Sequence, residues 1–259
     1  MLAVFSERGQ LVNKQKIKTD PDYSRFLSQL ETVLGEEQFK KQSISYCCCA
    51  IPGRVDRQNG VGVRFGNLTW QNVPIKKDLE NIMVGVTVWV ENDAKLGGLY
   101  EAVLVHNEYK KVLYLTIGTG IGIALITNGV IDLSKDDAGG RTMMLQRDGK
   151  KQGWEDLSSG RAIMGRYGQK AQDINDAEIW ADYAVDLAQG IAELVKSWTP
   201  DVVIVGGGVG AHLEKFAAPL SEELKKYGNN MVPVPPIIKA SKAEEAVIYG
   251  CYEYIKQNI

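Results

Sequence analysis

Val112-Leu113-Tyr114-Leu115-Thr116-Ile117-Gly118-Thr119-Gly120-Ile121-Gly122-Ile123-Ala124-Leu125-Ile126-Thr127 decides the fold. Two apolar runs, Val112 to Ile117 and Ile121 to Thr127, flank a turn of two glycines and a threonine, and Asn128-Gly129 supplies the next tight turn. The pattern predicts a hairpin. Glycines let backbone N–H groups approach phosphate oxygens, and the Thr119 hydroxyl adds a donor. The same residues also satisfy a plain hairpin turn, but a threonine between two glycines exceeds what a turn requires.

Upstream of this stretch, Leu2 to Phe5 and Leu11 to Lys18 alternate in the strand manner around Glu7-Arg8-Gly9-Gln10. A helix from Pro21 to about Leu34, a strand from Ile44 to Ile51, a Gly-rich loop, a helix from near Pro74 and a strand from Val84 to Val90 follow. A helix over roughly Asp93 to Val105 then leads into the quoted hairpin. Downstream, helices are predicted over Ser158 to Gln172 and Asp176 to Trp198; in the latter, Ala184, Leu187, Ala188, Ile191, Leu194, Val195 and Trp198 fall on one face. Strand Val202 to Val205, the turn Gly206-Gly207-Gly208, and helices Ala211 to Tyr227 and Ala243 to Ile255 close the chain. Strands alternating with helices predict an α/β protein with parallel or mixed sheets. The expected lobes are 1–92, completed by a C-terminal helix within 243–259, and 93–242, hinged near Asn92.

The 259 residues are 44% hydrophobic with a net charge of -2, enough for a sizeable core and without the positive footprint that nucleic acid or an anionic membrane demands. A small neutral or anionic metabolite fits better. No apolar run reaches membrane-spanning length, and the expected location is the cytoplasm. Cys47, Cys48 and Cys49 read as reduced core residues, since they lack the CxxC or His spacing of a zinc site. His106 and His212 stand alone and read as structural or surface residues.

Three further features bear on chemistry. Glu91-Asn92-Asp93 lies where a strand meets a helix, so a carboxylate there suits proton acceptance from a hydroxyl, while Asn92 or Asp93 equally suits capping. Gly206-Gly207-Gly208 follows a strand, where α/β sheets collect ligands, and serves an adenosine or a tight connection equally well. Glu155, before Ser159-Gly160, reads in isolation as a surface acid.

In order and spacing these segments resemble the ROK family of bacterial sugar kinases and sugar-responsive repressors, of the actin and hexokinase-like superfamily with a ribonuclease H-like core in each lobe. The likeness runs through Ile51-Pro52-Gly53-Arg54-Val55-Asp56, Gly66-Asn67-Leu68 with Trp70, and Val90 to Ala94. It continues through Leu115 to Gly122, Glu155 with Ser159 to Ile163, and Pro200 to Gly208. The resemblance implies ATP-dependent phosphorylation of a sugar with Mg2+, Asp93 as the base and Asn92 on a neighbouring hydroxyl. Gly53, Asn67 and Glu155 then fall on the sugar side, Gly118, Thr119 and Gly120 on the ATP phosphates, and Gly206, Gly207 and Gly208 beside the adenosine. It also implies lobes that close over the sugar, and dimers are common among the family's kinases.

Three departures qualify that expectation. The family opens on a strand ending in Asp-x-Gly-Gly-Thr-Lys, a first phosphate loop, whereas Met1 to Phe5 looks like the strand after it; the expectation is an internal start at Met1. The family's zinc-segment cysteines correspond to Gln146, Asp148 and Gly153, so no zinc is expected, as in the polyphosphate glucokinases. The sugar-binding Glu-x-Gly-His segment reads Ala138-Gly139-Gly140-Arg141, which leaves the sugar open. A non-catalytic sugar or nucleotide sensor, and an inactive truncated kinase, are the alternatives these departures raise; no helix-turn-helix resemblance supports DNA binding.

Overall fold

A hairpin opens the chain, its strands β1 (Leu2–Phe5) and β2 (Leu11–Gln15) antiparallel as the alternation predicts. The computed structural model describes residues 1–66, 68–228, 233–242 and 245–259. The chain divides into two compact units, one of Met1–Leu96 with Val247–Ile259 and one of Gly97–Ala246.

In the first unit, α1 (Tyr23–Leu34) starts at Asp22, whose side chain accepts from the Arg25 N–H, and a short α2 (Glu37–Lys40) follows. β3 (Tyr46–Ile51) comes next. The predicted Gly-rich loop is instead a three-stranded antiparallel sheet, β4 (Gly53–Asp56), β5 (Val61–Phe65) and β6 (Gln71–Val73). α3 (Ile75–Ile82) then leads to β7 (Thr87–Asn92), which pairs in parallel with β3. Asn67 lies outside the described residues. Trp70 anchors the core here: it packs against Tyr23, Phe26 and Phe65 and donates its Nε1–H to the Pro21 carbonyl at 2.7 Å.

The β3 cysteines are free. Burial pushes the Cys47 thiol up to about 12, so it stays protonated and unreactive at neutral pH. The Cys48 thiol is also raised, first by its hydrogen bond to Cys251 and then by burial.

α4 (Asp93–Val105) follows β7 directly. The second unit is built on a five-stranded sheet ordered β10-β9-β8-β13-β14, where β8 is Lys111–Ile117, β9 Ile121–Thr127, β10 Val130–Ile131, β13 Val202–Gly206 and β14 Ile237–Lys239. β8 and β9 form the predicted antiparallel hairpin, whereas β13 runs parallel to both β8 and β14, so the sheet is mixed. Between β10 and β13 come the hairpin strands β11 (Met144–Arg147) and β12 (Lys150–Gly153), then α5 (Trp154–Ser158), α6 (Gly160–Tyr167) and α7 (Ala177–Trp198). α7 buries Ala184, Leu187, Ala188, Ile191, Leu194 and Val195, the face its periodicity predicts. After β13, the three glycines that read as a turn begin one helical turn, α8 (Gly207–Gly210), and α9 (Leu213–Lys225) packs Phe216 flat on Trp180 of α7 at 5.2 Å.

α10 (Ala246–Asn258) ends the chain, and the predicted start of this helix at Ala243 lies outside the described residues. Within the second unit, Glu101, a buried carboxylate of α4, accepts from the N–H groups of Ser241 at 2.9 Å and Lys242 at 3.0 Å. Among the described residues no helix is long and apolar enough to cross a membrane, and none of their His, Cys, Asp and Glu side chains cluster as a metal site.

Candidate functional site

In the first unit the candidate residues gather where β7 ends. Asn92 is buried and caps α4: its Oδ1 accepts from the Lys95 N–H at 3.0 Å, while its Nδ2 donates to the Gly53 carbonyl at 2.8 Å. The amide carries two N–H donors, so one remains for a ligand. Asn92 therefore joins Gly53, at the start of β4, to the start of α4. Asp93 is the first residue of α4, half-buried, and its Oδ1 accepts from the Ala94 N–H at 2.8 Å. An anion at a helix N-terminus is stabilised by the exposed N–H groups and the helix dipole.

The sequence places Glu91 in the Glu91-Asn92-Asp93 group without a role of its own, and the structure supplies one. Its carboxylate is fully buried, accepts from the Asn92 N–H at 2.6 Å and is gripped by the Arg57 guanidinium, with Nε at 2.7 Å from Oε2 and Nη2 on Oε1. A buried carboxylate needs such a counter-ion. Arg57 is thus what allows β7 to end with a fixed Asn92-Asp93 backbone. Nothing local signals this pairing, because the partners stand 34 residues apart.

In the second unit, the two glycine turns lie at the ends of neighbouring parallel strands. Gly206 of β13 stands opposite Thr116 of β8. Gly207 follows with φ +79°, and a Cβ there would sit 2.6 Å from the Ile117 carbonyl oxygen, so only glycine permits this approach. The Gly118-Thr119-Gly120 turn closes through Gly118 N–H to Gly120 O at 2.9 Å and is backed by α6, whose Gly160 N–H donates to Gly118 O at 2.7 Å. Thr119 is exposed, and at Gly118 and Gly208 a Cβ would meet nothing within 4 Å. Both turns therefore present backbone and open space where ligands of α/β sheets bind.

Glu155, a surface acid by its sequence context, is instead buried beneath the hairpin. Its Oε2 accepts from the Ile121 N–H at 3.1 Å, and Oε1 accepts from Arg161 Nη2 at 3.3 Å and faces Arg141 Nη2 at 3.7 Å. It fixes the hairpin from below and gathers two guanidiniums. The Ile121 N–H that it accepts from stands 34 residues away, which is why its burial was not readable.

At the positions that the resemblance matches to the family's cysteines, β11 carries Gln146, the turn after it Asp148 and β12 Gly153. This hairpin is tied to α7 by ion pairs: Arg147 reaches Asp186 at 2.6 Å and Asp182 at 2.7 Å, and Arg166 of α6 reaches Asp186 at 2.7 Å.

Comparison with known proteins finds relatives along the whole chain. A family model described as the ROK family matches residues 1–258. The glucokinase of Thermotoga maritima is 28% identical over 306 residues, covering 100% of this chain and 94% of its own. The N-acetyl-D-glucosamine kinase of Haemophilus influenzae is 25% identical over 285 residues, covering 96% and 93%. A ROK family glucokinase from Streptomyces griseus, solved in complex with glucose and AMPPNP, superposes with a TM-score of 0.80 at 20% identity, covering 98% of this chain and 95% of that one.

Proposed function

The chain belongs to the ROK family and has its actin/hexokinase-like α/β fold, and from that premise we propose that it is a sugar kinase transferring the terminal phosphoryl group of ATP to a hydroxyl of a hexose or related sugar. The observation that carries this reading is the pair of glycine turns, Gly118-Thr119-Gly120 and Gly206-Gly207-Gly208, at the ends of adjacent parallel strands β8 and β13.

Phosphoryl transfer asks a protein mainly for positioning and electrostatic stabilisation. In the proposed reaction the Asp93 carboxylate takes the proton of the sugar hydroxyl as its oxygen attacks the γ-phosphorus. The bond from that phosphorus to the bridging oxygen breaks, and ADP leaves. The spare Asn92 N–H donates to a neighbouring hydroxyl, and Gly53, Asn67 and Glu155 complete the sugar side. Gly118 closes the turn, the backbone N–H groups of Thr119 and Gly120 and the Thr119 hydroxyl hold phosphate oxygens, and Gly206 to Gly208 border the adenosine. The open space at Gly118 and Gly208 fits a nucleotide, because a side chain there would occupy it. Mg2+, carried by the nucleotide phosphates, supplies charge neutralisation when bound.

A coupled ADP-release assay across hexoses and amino sugars tests the reading: sugar-dependent ADP release is expected, and ADP release that no sugar stimulates overturns it. The nucleotide side has its own test. Gly208→Ala should leave the melting temperature in place yet weaken ATP binding about tenfold, roughly one lost contact's worth. Gly207→Ala should destabilise the fold by about 2 kcal/mol through backbone strain and overpacking. Thermal unfolding beside nucleotide titration separates the two, and unchanged ATP affinity in Gly208→Ala removes this turn from the nucleotide site.

A further inference from the structure

Two arginines share one buried carboxylate beside the Gly118-Thr119-Gly120 turn, which leaves one positive charge in excess. Arg161 Nη2 donates to Glu155 Oε1 at 3.3 Å; Arg141 Nη2 stands 3.7 Å from the same oxygen, beyond hydrogen-bond distance. Each guanidinium carries five N–H donors, so nearly all of them remain open to a ligand. Both side chains are well exposed, at 45% for Arg141 and 59% for Arg161, while the Glu155 carboxylate is 9% exposed and already committed to the Ile121 N–H.

Neither arginine stands where it does by default. Arg161 lies in the first turn of α6, just after the Ser159 cap, where the helix dipole disfavours a cation and favours an anion. Arg141 lies in a 3-10 turn, Gly139–Thr142, that is pinned against the start of β9: Gly139 has φ +62°, and a Cβ there would be 2.2 Å from the Ile121 carbonyl oxygen. The bases of both side chains are therefore held by the same segment, Gly118 to Ile121, that forms the candidate phosphate turn.

Resting on the sugar-kinase reading, we propose that Arg141 and Arg161 form a receptor for a carboxylate or phosphate carried by the sugar itself, so that the preferred acceptor is an anionic sugar. The planar guanidinium fork matches both anions. The nucleotide needs no share of this pair, since the glycine turns offer it uncharged backbone and open space. Glu155 and the arginines it gathers stand on the sugar side of the proposed reaction.

The test uses the full chain with ATP and glucose, N-acetylglucosamine, glucuronate, gluconate and glucose 1-phosphate as acceptors, alongside calorimetry of each sugar alone. An acid should exceed its neutral counterpart in kcat/KM by about ten- to a hundredfold, the worth of one charge-assisted contact. Arg141→Gln and Arg161→Gln should each cut that preference about tenfold, chiefly through the sugar KM, and salt should weaken the binding of acids alone. Neutral hexoses used as well as acids overturn the proposal while leaving the kinase reading intact. A raised ATP KM with an unmoved acid preference assigns the arginines to the nucleotide and also overturns it. Acid binding that both substitutions weaken, without any phosphorylation, upholds the anion receptor and sinks the kinase reading instead.

Discussion

Asp93→Asn should lower kcat for sugar phosphorylation by about 10²- to 10⁴-fold, the range that a positioned general base supplies, while moving the sugar KM far less. The substitution removes the proton acceptor and keeps the size of the side chain. The Asp93 Oδ1 that accepts from the Ala94 N–H at 2.8 Å is replaced by an amide oxygen able to do the same. α4 also keeps its cap, because the capping oxygen belongs to Asn92, which bonds the Lys95 N–H. Thermal unfolding should therefore shift far less than the rate, where the main loss should appear. Asn92→Ala makes the contrast: it breaks the cap and the bond to Gly53 together, costing about 1 kcal/mol or more of stability besides any effect on the sugar. A coupled ADP-release assay reads both variants. Asp93→Asn turning over at the parent rate removes Asp93 from the chemistry.

What could be read from the sequence follows from how local each signal is. The β8–β9 hairpin and α7 were legible because their periodicity lies within one segment, as with the buried Ala184, Leu187, Ala188 and Ile191 of α7. The β4 to β6 sheet was not, because Gly53, Gly60, Gly62 and Gly66 interrupt its apolar pattern and a register shift between Arg54 and Val55 breaks the alternation. The β11–β12 hairpin was hidden for another reason: apart from Leu145 and Gly153 its residues are not buried, so polar side chains leave no period to find.

The candidate residues divide in the same way. Glycines that must accept close backbone approach, such as Gly207 against Ile117, announce themselves by type. Glu155 and Glu91 did not, since a buried carboxylate is recognisable only through partners brought from afar: Ile121 and Arg141 for one, Arg57 for the other. Asn92 was legible as a choice between cap and ligand contact. The structure shows the cap and leaves a donor over, so the two roles do not exclude one another.

Asp186→Ala should destabilise the second unit by about 3 kcal/mol, because it strips the buried counter-charge shared by two guanidiniums and leaves them the half-exposed Asp182. The Asp186 side chain is fully buried on α7, with Oδ1 on Arg147 at 2.6 Å and Oδ2 on Arg166 at 2.7 Å. These bonds tie the β11–β12 hairpin and α6 to α7, and they do so in the segment where the family resemblance places zinc cysteines that this chain replaces with Gln146, Asp148 and Gly153. At roughly 2 to 4 °C per kcal/mol for a unit of this size, the melting temperature should fall by roughly 6 to 12 °C. Asp182 calibrates the result: it bonds Arg147 at 2.7 Å and Tyr167 at 2.6 Å, but its side chain is 42% exposed, and Asp182→Ala should cost about 1 kcal/mol or less. Replacing the triad together, Asp186→Leu with Arg147→Met and Arg166→Met, should recover most of the loss, since no buried charge remains unpaired and Asp182, which loses both arginines, is exposed enough to be solvated. Thermal unfolding that finds Asp186→Ala no more damaging than Asp182→Ala would show that solvent, rather than Asp186, carries the two arginines.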